Sequence, residues 1–539
     1  MNTHLLNTCI IGVLVLLISA CSQSNLDSIA SDSIVYCSES DPNTFNPQLD
    51  TYATTADASS YQIYNRLIEF DPIDGKIIPS LASSWLVSKD GLTYTFQLRR
   101  GVNFHTTSYF TPTRSFNADD VVFSINRWRN ESHPYHHVSG GRYPYFQSLK
   151  LSKFIKEVKR INGYRVQITL NQRDSSFLAN LATDFSIILS AEYAQNLLIN
   201  NQPEQIDSYP IGTGPFKYQD YTKGQVIYFK KHDDYWKDEK TVNNLIYDIT
   251  PKSTLRLAKL VTGECDIIAF PSQSELDVIV DRDDLVLDQS PSLNIGYWAF
   301  NTQKAPFNDP NVRRALAYAI DKNSLLETVY LGKATPANTL IPPTSWAHSE
   351  DVNDTSYNPI LARKLLDEAG IEPGFTMTIW ATPLIRDYNP NAKQMAELIQ
   401  QYLADVLINV NIVNRDWTPF IEKLNLGEHD SVLLGWSADN GDPDNFYRPL
   451  LSCDAIPSGT NVARWCNDDY DQLVYQALQT DDIAQRQLIY EEVNHLIAKQ
   501  IPIVPIAHSL SYQAYNKQLI GLTNNPYGAI RFSGVSKSQ

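Results

Sequence analysis

The chain has six cysteines and three methionines in 539 residues, and positive charge never clusters beyond a pair. Arg99-Arg100, Lys230-Lys231 and Arg313-Arg314 are typical of those pairs, and the net charge is −16. That balance excludes nucleic acid, or an anionic membrane, as a partner held by a basic patch. No CxxC spacing occurs, so a thiolate metal site lacks its framework. Neither a GxSxG elbow nor an HExxH helix is present, and the scattered Ser, His and Asp residues define no triad, so an exported hydrolase lacks recognisable machinery. There is no internal repeat and no low-complexity block. Beyond the N-terminus no second long apolar run exists, so the remainder reads as soluble.

What is present is the composition of a large globular protein, 43% hydrophobic and 19% charged, too long for one hydrophobic core. Thirty tyrosines and nine tryptophans are amphipathic surfaces suited to a ligand cleft, although most belong to core and sheet. The N-terminus carries an uncharged apolar stretch, Leu5–Ala20, shorter than a membrane span and fitting the core of a secretory signal. It ends in Ile18-Ser19-Ala20-Cys21, which resembles a bacterial lipobox, although the leading segment has no Lys or Arg. Residues 1–20 are therefore read as signal peptide, Cys21 as the lipidated residue, and 21–31 as a Ser/Asp-rich tether. Cys9 leaves with the signal. Four cysteines remain in an oxidising compartment, implying two disulfides. Three pairings exist, and local pairing favours Cys453–Cys466 with Cys37–Cys265.

Strand-like and helix-like segments alternate, pointing to an α/β architecture. Leu81–His105 reads as a hairpin, turning at Asp90-Gly91, with Tyr94, Phe96 and Leu98 facing inward. Asn117 is the natural N-cap of a helix whose apolar face is Val121, Val122, Ile125 and Trp128. A Gly/Pro turn, IGTGPF, precedes a strand over Gln225–Phe229. Asp309-Pro310 opens a helix running to Gly332, Asn358-Pro359 another stopped by Gly370, and Asn389-Pro390 a further one carrying Met395, Leu398, Ile399 and Tyr402.

Five segments in order, LASSWLVSKDGLTYTFQLRRGVNFH, FNADDVVFSINR, PIGTGPFKYQDY, DPNVRRALAYAIDK and LIPPTSW, resemble the family 5 extracellular solute-binding proteins of ABC importers. Further stretches, among them HPYHHVSGG, YNPNAKQMAE and GWSADNGDPDNFYRPLLSC, are similar to its dipeptide-binding branch, to the Sap-type peptide-binding branch and to haem-binding lipoproteins. The resemblance implies a two-lobed, type II periplasmic-binding-protein-like fold of the large peptide-binding class. Lobe I would comprise 32–291 and 510–539, with 65–212 as an inserted subdomain, and lobe II would comprise 292–509. Crossings near Ser292–Gly296 and His508–Ser511 would form the hinge. It also implies the same two disulfides as local pairing, no cofactor, and a monomer in the periplasm of a Gram-negative bacterium, anchored by its lipid. The partners would be short peptides, with haem or cationic antimicrobial peptides as the alternative ligands, and the inner-membrane permease.

A free dipeptide is a zwitterion, so a site for it needs a buried carboxylate for the ammonium and, best, an arginine fork for the carboxylate. The resemblance places these at Asp439 and Arg386, with Trp436 as a wall and Thr54 and Thr55 as backbone hydrogen-bonders from the other lobe. On composition alone SADNGDPDN reads as a turn-rich loop, and it lacks the bidentate Glu of a calcium loop. His133-Pro134-Tyr135-His136-His137 has ligand-type residues but no third partner, and reads as a solvated loop.

Overall fold

The computed structural model describes residues 32–72, 75–349, 352, 355–523, 525, 527 and 529–538. The signal segment, Cys21 and the tether lie outside the described residues.

The central strand Ser33–Ser38 is a nearly continuous apolar run, as a strand covered on both faces must be. It pairs in parallel with Asn244–Ile249 on one side and Ile267–Ile268 on the other. Val226–Lys231 and Phe216–Thr222 continue that half of the sheet antiparallel. In the other half, Asn294–Phe300 pairs with Ser431–Ser437, which is followed by Thr376–Ala381 and Asn409–Val413. One 14-residue strand, Ile503–Asn516, joins the halves into a sheet of twelve strands among the described residues. Its first part pairs with Asn294–Phe300 (Ala299 opposite Ile503) and its last part with Leu285–Pro291 (Pro291 opposite Leu510). The chain thus crosses between the halves on two adjacent strands.

The apolar side chains segregate in the same way. One core gathers Ile34, Phe96, Trp128, Phe229 and, from the C-terminus, Phe532 and Val535. Two others gather residues between Ile295 and Ala507, around Trp298 and Met395 in one and Tyr447 and Tyr490 in the other. The result is two lobes with a cleft between them.

The hairpin forms as its sequence predicts, over Ala82–Val87 and Thr93–Leu98, with Tyr94, Phe96 and Leu98 buried. Gly91 turns it at φ +70°, where a β-carbon would also strike the Arg173 guanidinium at 2.6 Å. Two more strands, Arg165–Leu170 and Ile155–Asn162, complete a four-stranded antiparallel sheet. Asn117 caps Ala118–Arg129, accepting from the Asp119 amide while Asp120 returns a bond to the Asn117 amide.

Two expected helices differ. The one opened by Asp309 ends at Tyr318, and Asp321 caps a second, Lys322–Val329, by accepting from two amides. The Asp side chain offers the backbone a fresh N-terminus, which wins over continuation. The helix expected from Asn389 begins instead at Ala392, capped by Asn391. Asn389 is held in a turn, its amide and carbonyl exchanging bonds with Arg386 at 3.0 and 3.3 Å. Both disulfides form as expected, Cys37–Cys265 and Cys453–Cys466, with Cα separations of 5.9 and 4.5 Å.

Candidate functional site

Between the lobes lies a cavity of about 860 Å³. One lobe lines it with Tyr52, Asp57, Asp184 and Phe270, and the other with Arg386, Trp417, Trp436 and Asp439. Tyr52 and Trp417 meet edge-to-face across the cleft, ring centres 5.0 Å apart.

Asp439 stands just past the C-terminal end of the strand Ser431–Ser437, the end at which α/β sheets present ligand groups. Its amide donates to Asn445 Oδ1 at 2.9 Å, and Trp436 Nε1 donates to the same oxygen at 3.3 Å. Carboxylate Oδ2 is buried and has no hydrogen-bond partner among the described residues. Burial, and then the negative charge of Asp184, push the Asp439 carboxyl well above the usual range. Asp184 itself is satisfied, by Arg66 at 2.9 Å and by the Ala529 amide at 2.7 Å. Asp439 is therefore a carboxylate short of a cation. Downstream, Asp442 leaves the site, pairing with Arg486 at 2.8 Å.

Arg386 sits in the tight turn 386–389, pinned to the strand crossings. The Ser509 hydroxyl donates to the Asp387 carbonyl at 2.5 Å, and the Tyr330 hydroxyl to the Tyr388 carbonyl at 2.7 Å. Close approach is possible because residues 296 and 435 are glycine: a β-carbon there would meet the Tyr388 carbonyl or ring at 2.1 Å. The guanidinium reaches across the cleft to Glu39 at 2.8 Å and lies 4.7 Å over the Phe270 ring. Burial opposes its charge, but Glu39, with Asp57 and neighbouring tyrosines, overrides that and holds the pKa above normal. The contact is an ion pair without a well-directed hydrogen bond, since both Glu39 carboxylate oxygens lack one among the described residues. Asp57, nearby, accepts from the Ile530 amide at 3.0 Å, and burial followed by Glu39 raises it to about 7.

The structure thus brings Asp439, Arg386 and Trp436 to one cavity. Thr54 and Thr55 are buried and are not among its lining residues, whereas Ala53, Ala56 and Asp57 of the same helix are. The Thr55 hydroxyl points inward, donating to Asp50 at 2.8 Å and accepting from the Asn43 amide at 3.2 Å. His136 is buried away from the cavity, its Nδ1 against the Arg127 carbonyl at 2.9 Å. Among the described residues, the two clusters with metal-ligand spacing each contain a disulfide, whose sulfurs are not thiolates. Glu39, Asp57 and Asp184 escape the sequence reading. Glu39 alone had a signal, since it follows directly on a central parallel strand.

Two lobes closing over a buried, charged cavity define the class of proteins that capture a small solute between them. The chain belongs to the bacterial extracellular solute-binding proteins, family 5, whose middle region matches residues 76–458. It is 43% identical over 525 residues to the dipeptide-binding protein of Escherichia coli K12, covering 97% of this chain and 98% of that one. It is 42% identical to heme-binding protein A of Haemophilus influenzae, covering 96% and 94%. The crystal structure of the dipeptide-binding protein from Pseudoalteromonas sp. SM9913 in complex with Met-Leu superposes with a TM-score of 0.92 at 47% identity, covering 94% of this chain and all of that one. The family is one of solute-binding transport proteins.

Proposed function

We propose that this protein captures dipeptides or short peptides in its interlobe cleft and delivers them to an ABC permease in the inner membrane. Asp439 takes the ligand's α-ammonium and Arg386 its α-carboxylate, with Trp436 against the first residue. The observation that carries the reading is the buried oxygen of Asp439, without a partner among the described residues, in the same cavity as the Arg386 guanidinium. A zwitterion supplies the missing cation at one end and an anion at the other. The similarity to dipeptide-binding proteins supports it. In this reading lobe I is 32–291 with 510–539, subdomain 65–212 is inserted in it, lobe II is 292–509, and the crossings near Ser292–Gly296 and His508–Ser511 bend. The protein is a monomer held to a periplasmic membrane surface through lipid on Cys21.

Haem is the competing ligand, because heme-binding protein A is as similar. The cavity favours the peptide. Its described lining contains no His, Cys or Met, which leaves tyrosine as the haem-ligating type present, and its carboxylates outnumber Arg142 and Arg386, which disfavours two propionates. Thermal unfolding of the unlipidated, ligand-stripped protein separates the two. A dipeptide at 100 times its Kd adds about 2.7 kcal/mol, read as a rise in Tm. N-acetylation of the dipeptide abolishes the shift if Asp439 binds the ammonium. Stabilisation by haem and not by dipeptides would remove the peptide reading.

A further inference from the structure

Beyond the ligand cavity, a continuous buried polar chain crosses the cleft. It starts at Asp439, whose amide bonds Asn445 Oδ1. Asn445 Nδ2 donates across the cleft to the Tyr145 hydroxyl at 3.3 Å, and that hydroxyl donates to Asn180 Oδ1 at 2.9 Å. Asn440, next to Asp439, donates to the same Asn180 oxygen at 3.3 Å. Asn180 Nδ2 donates to Ser176 Oγ at 2.9 Å, which donates to Asp174 at 2.6 Å. There the chain meets Arg448, fully buried on the helix Asp444–Leu451 of the opposite lobe. Arg448 donates to Ser176 Oγ at 3.0 Å and to the Leu149 carbonyl at 2.9 Å, and its charge lies 3.5 Å from Asp174. Its own-lobe partner is Asp444, one turn earlier, at 2.7 Å.

We propose that Arg448 and its receptors Leu149, Asp174 and Ser176 form a latch that holds the lobes closed. In the same proposal, Asn445 is the positioning residue that ties Asp439, and hence ligand occupancy, to the latch. Two features suit a latch rather than a fixed strut. Arg448 keeps Asp444 when the lobes part, so opening leaves no uncompensated charge in its lobe, while Asp174 passes into water. In the closed form every described member from Asn445 to Arg448 is satisfied by another, and the Asp439 carboxylate at its end is left for the ligand, so the network behaves as a unit, formed or broken together. An ammonium at Asp439 would fix the loop that carries Asn440 and lies against Asn445, favouring the closed arrangement on both sides of the cleft at once. The ligand's part in this rests on the peptide reading. The latch itself does not.

The test places fluorescent labels at Lys159→Cys and Lys364→Cys, both exposed and on opposite lobes, and measures interlobe energy transfer with and without a dipeptide. Ser176→Ala, Arg448→Met and Asn445→Leu are compared with the parent, with Arg448→Lys as the conservative variant. The expected result is a smaller closed fraction in the empty Ser176→Ala and Arg448→Met proteins. Dipeptide release quickens about tenfold while association stays within about twofold, since contacts formed on closure act on dissociation. Arg448→Lys recovers part of the loss, and Asn445→Leu quickens release with a smaller effect on the empty protein. Unchanged energy transfer and release within twofold of the parent in Ser176→Ala overturn the proposal. That variant leaves the Arg448–Asp444 pair intact and decides the matter even if Arg448→Met does not fold. If the parent binds no peptide, the peptide reading fails, and energy transfer in the empty variants still decides the latch.

Discussion

At the scale of single residues, the cavity keeps charges that a stable core would not. Asp439 is the clearest case. Between the ordinary Asp value of 3.8 and its raised folded value, the native chain holds a proton that the unfolded chain has released. Stability of the empty protein is thus greatest below that window and falls as pH rises through it. Asp439→Asn removes the penalty, so Tm of the empty protein at neutral pH rises. With Asp439 as the proposed ammonium partner, the same change costs about 100-fold or more in dipeptide affinity, because the ligand ammonium would then be buried without a counterion. Differential scanning fluorimetry and titration calorimetry on one variant check both signs. Glu39→Gln tests the other end. It strands the buried Arg386 charge and lowers stability by about 3 kcal/mol. A dipeptide carboxylate can replace the lost partner, so the ligand-induced rise in Tm becomes larger than in the parent. An unchanged ligand shift would show that Glu39 and the ligand do not share Arg386.

At the scale of elements, local chemistry decided where helices and turns fall, and neighbours decided where they stop. The N-cap at Asn117 and the Asp90-Gly91 turn were legible because each is complete within a few residues. The break at Asp321 and the late start at Ala392 were not, because the first is a competition between caps and the second follows from the Arg386–Asn389 turn. Two buried histidines make the strand connections sensitive to acid. His508 Nδ1 meets the Asn294 carbonyl at 2.7 Å on the crossing strands, and His429 Nε2 meets the Val462 carbonyl at 2.8 Å. Burial lowers both to about 4 from 6.5. The unfolded chain takes up these protons first, so stability is complete above pH 6.5 and is lost as pH falls towards 4. The loss is on the order of 3 kcal/mol for each histidine, and His508→Gln should flatten the fall of Tm over that interval. The Cys453–Cys466 loop contributes separately. Replacing both cysteines by serine lowers stability by about 3 kcal/mol, measured as an earlier urea midpoint.

At the scale of the whole molecule, the two lobes share one sheet through a single long strand, and Asn294 locks the crossing by exchanging side-chain bonds with the Ser509 backbone at 3.0 and 3.2 Å. Motion about such a paired crossing changes the cleft without unpairing the sheet. Small-angle scattering should therefore show a smaller radius of gyration when a free dipeptide is added and no contraction with its N-acetylated form. An unchanged radius with a bound dipeptide would place the empty protein already in the closed form.

The sequence by itself determined the fold class, the caps and turns, and the motifs that assign the chain to its family, because these rest on patterns of apolar residues and on bonds spanning a few positions. It also singled out Asp439, Arg386 and Trp436, through the stretches that hold them. Only the tertiary structure decided that Arg386 meets Glu39, that the hydroxyl of Thr55 turns inward, and that Asn445 meets Tyr145 from 300 residues away. Charge compensation and hydrogen-bond satisfaction in a buried cleft depend on which distant groups share the same dry space, and no local pattern encodes that distance.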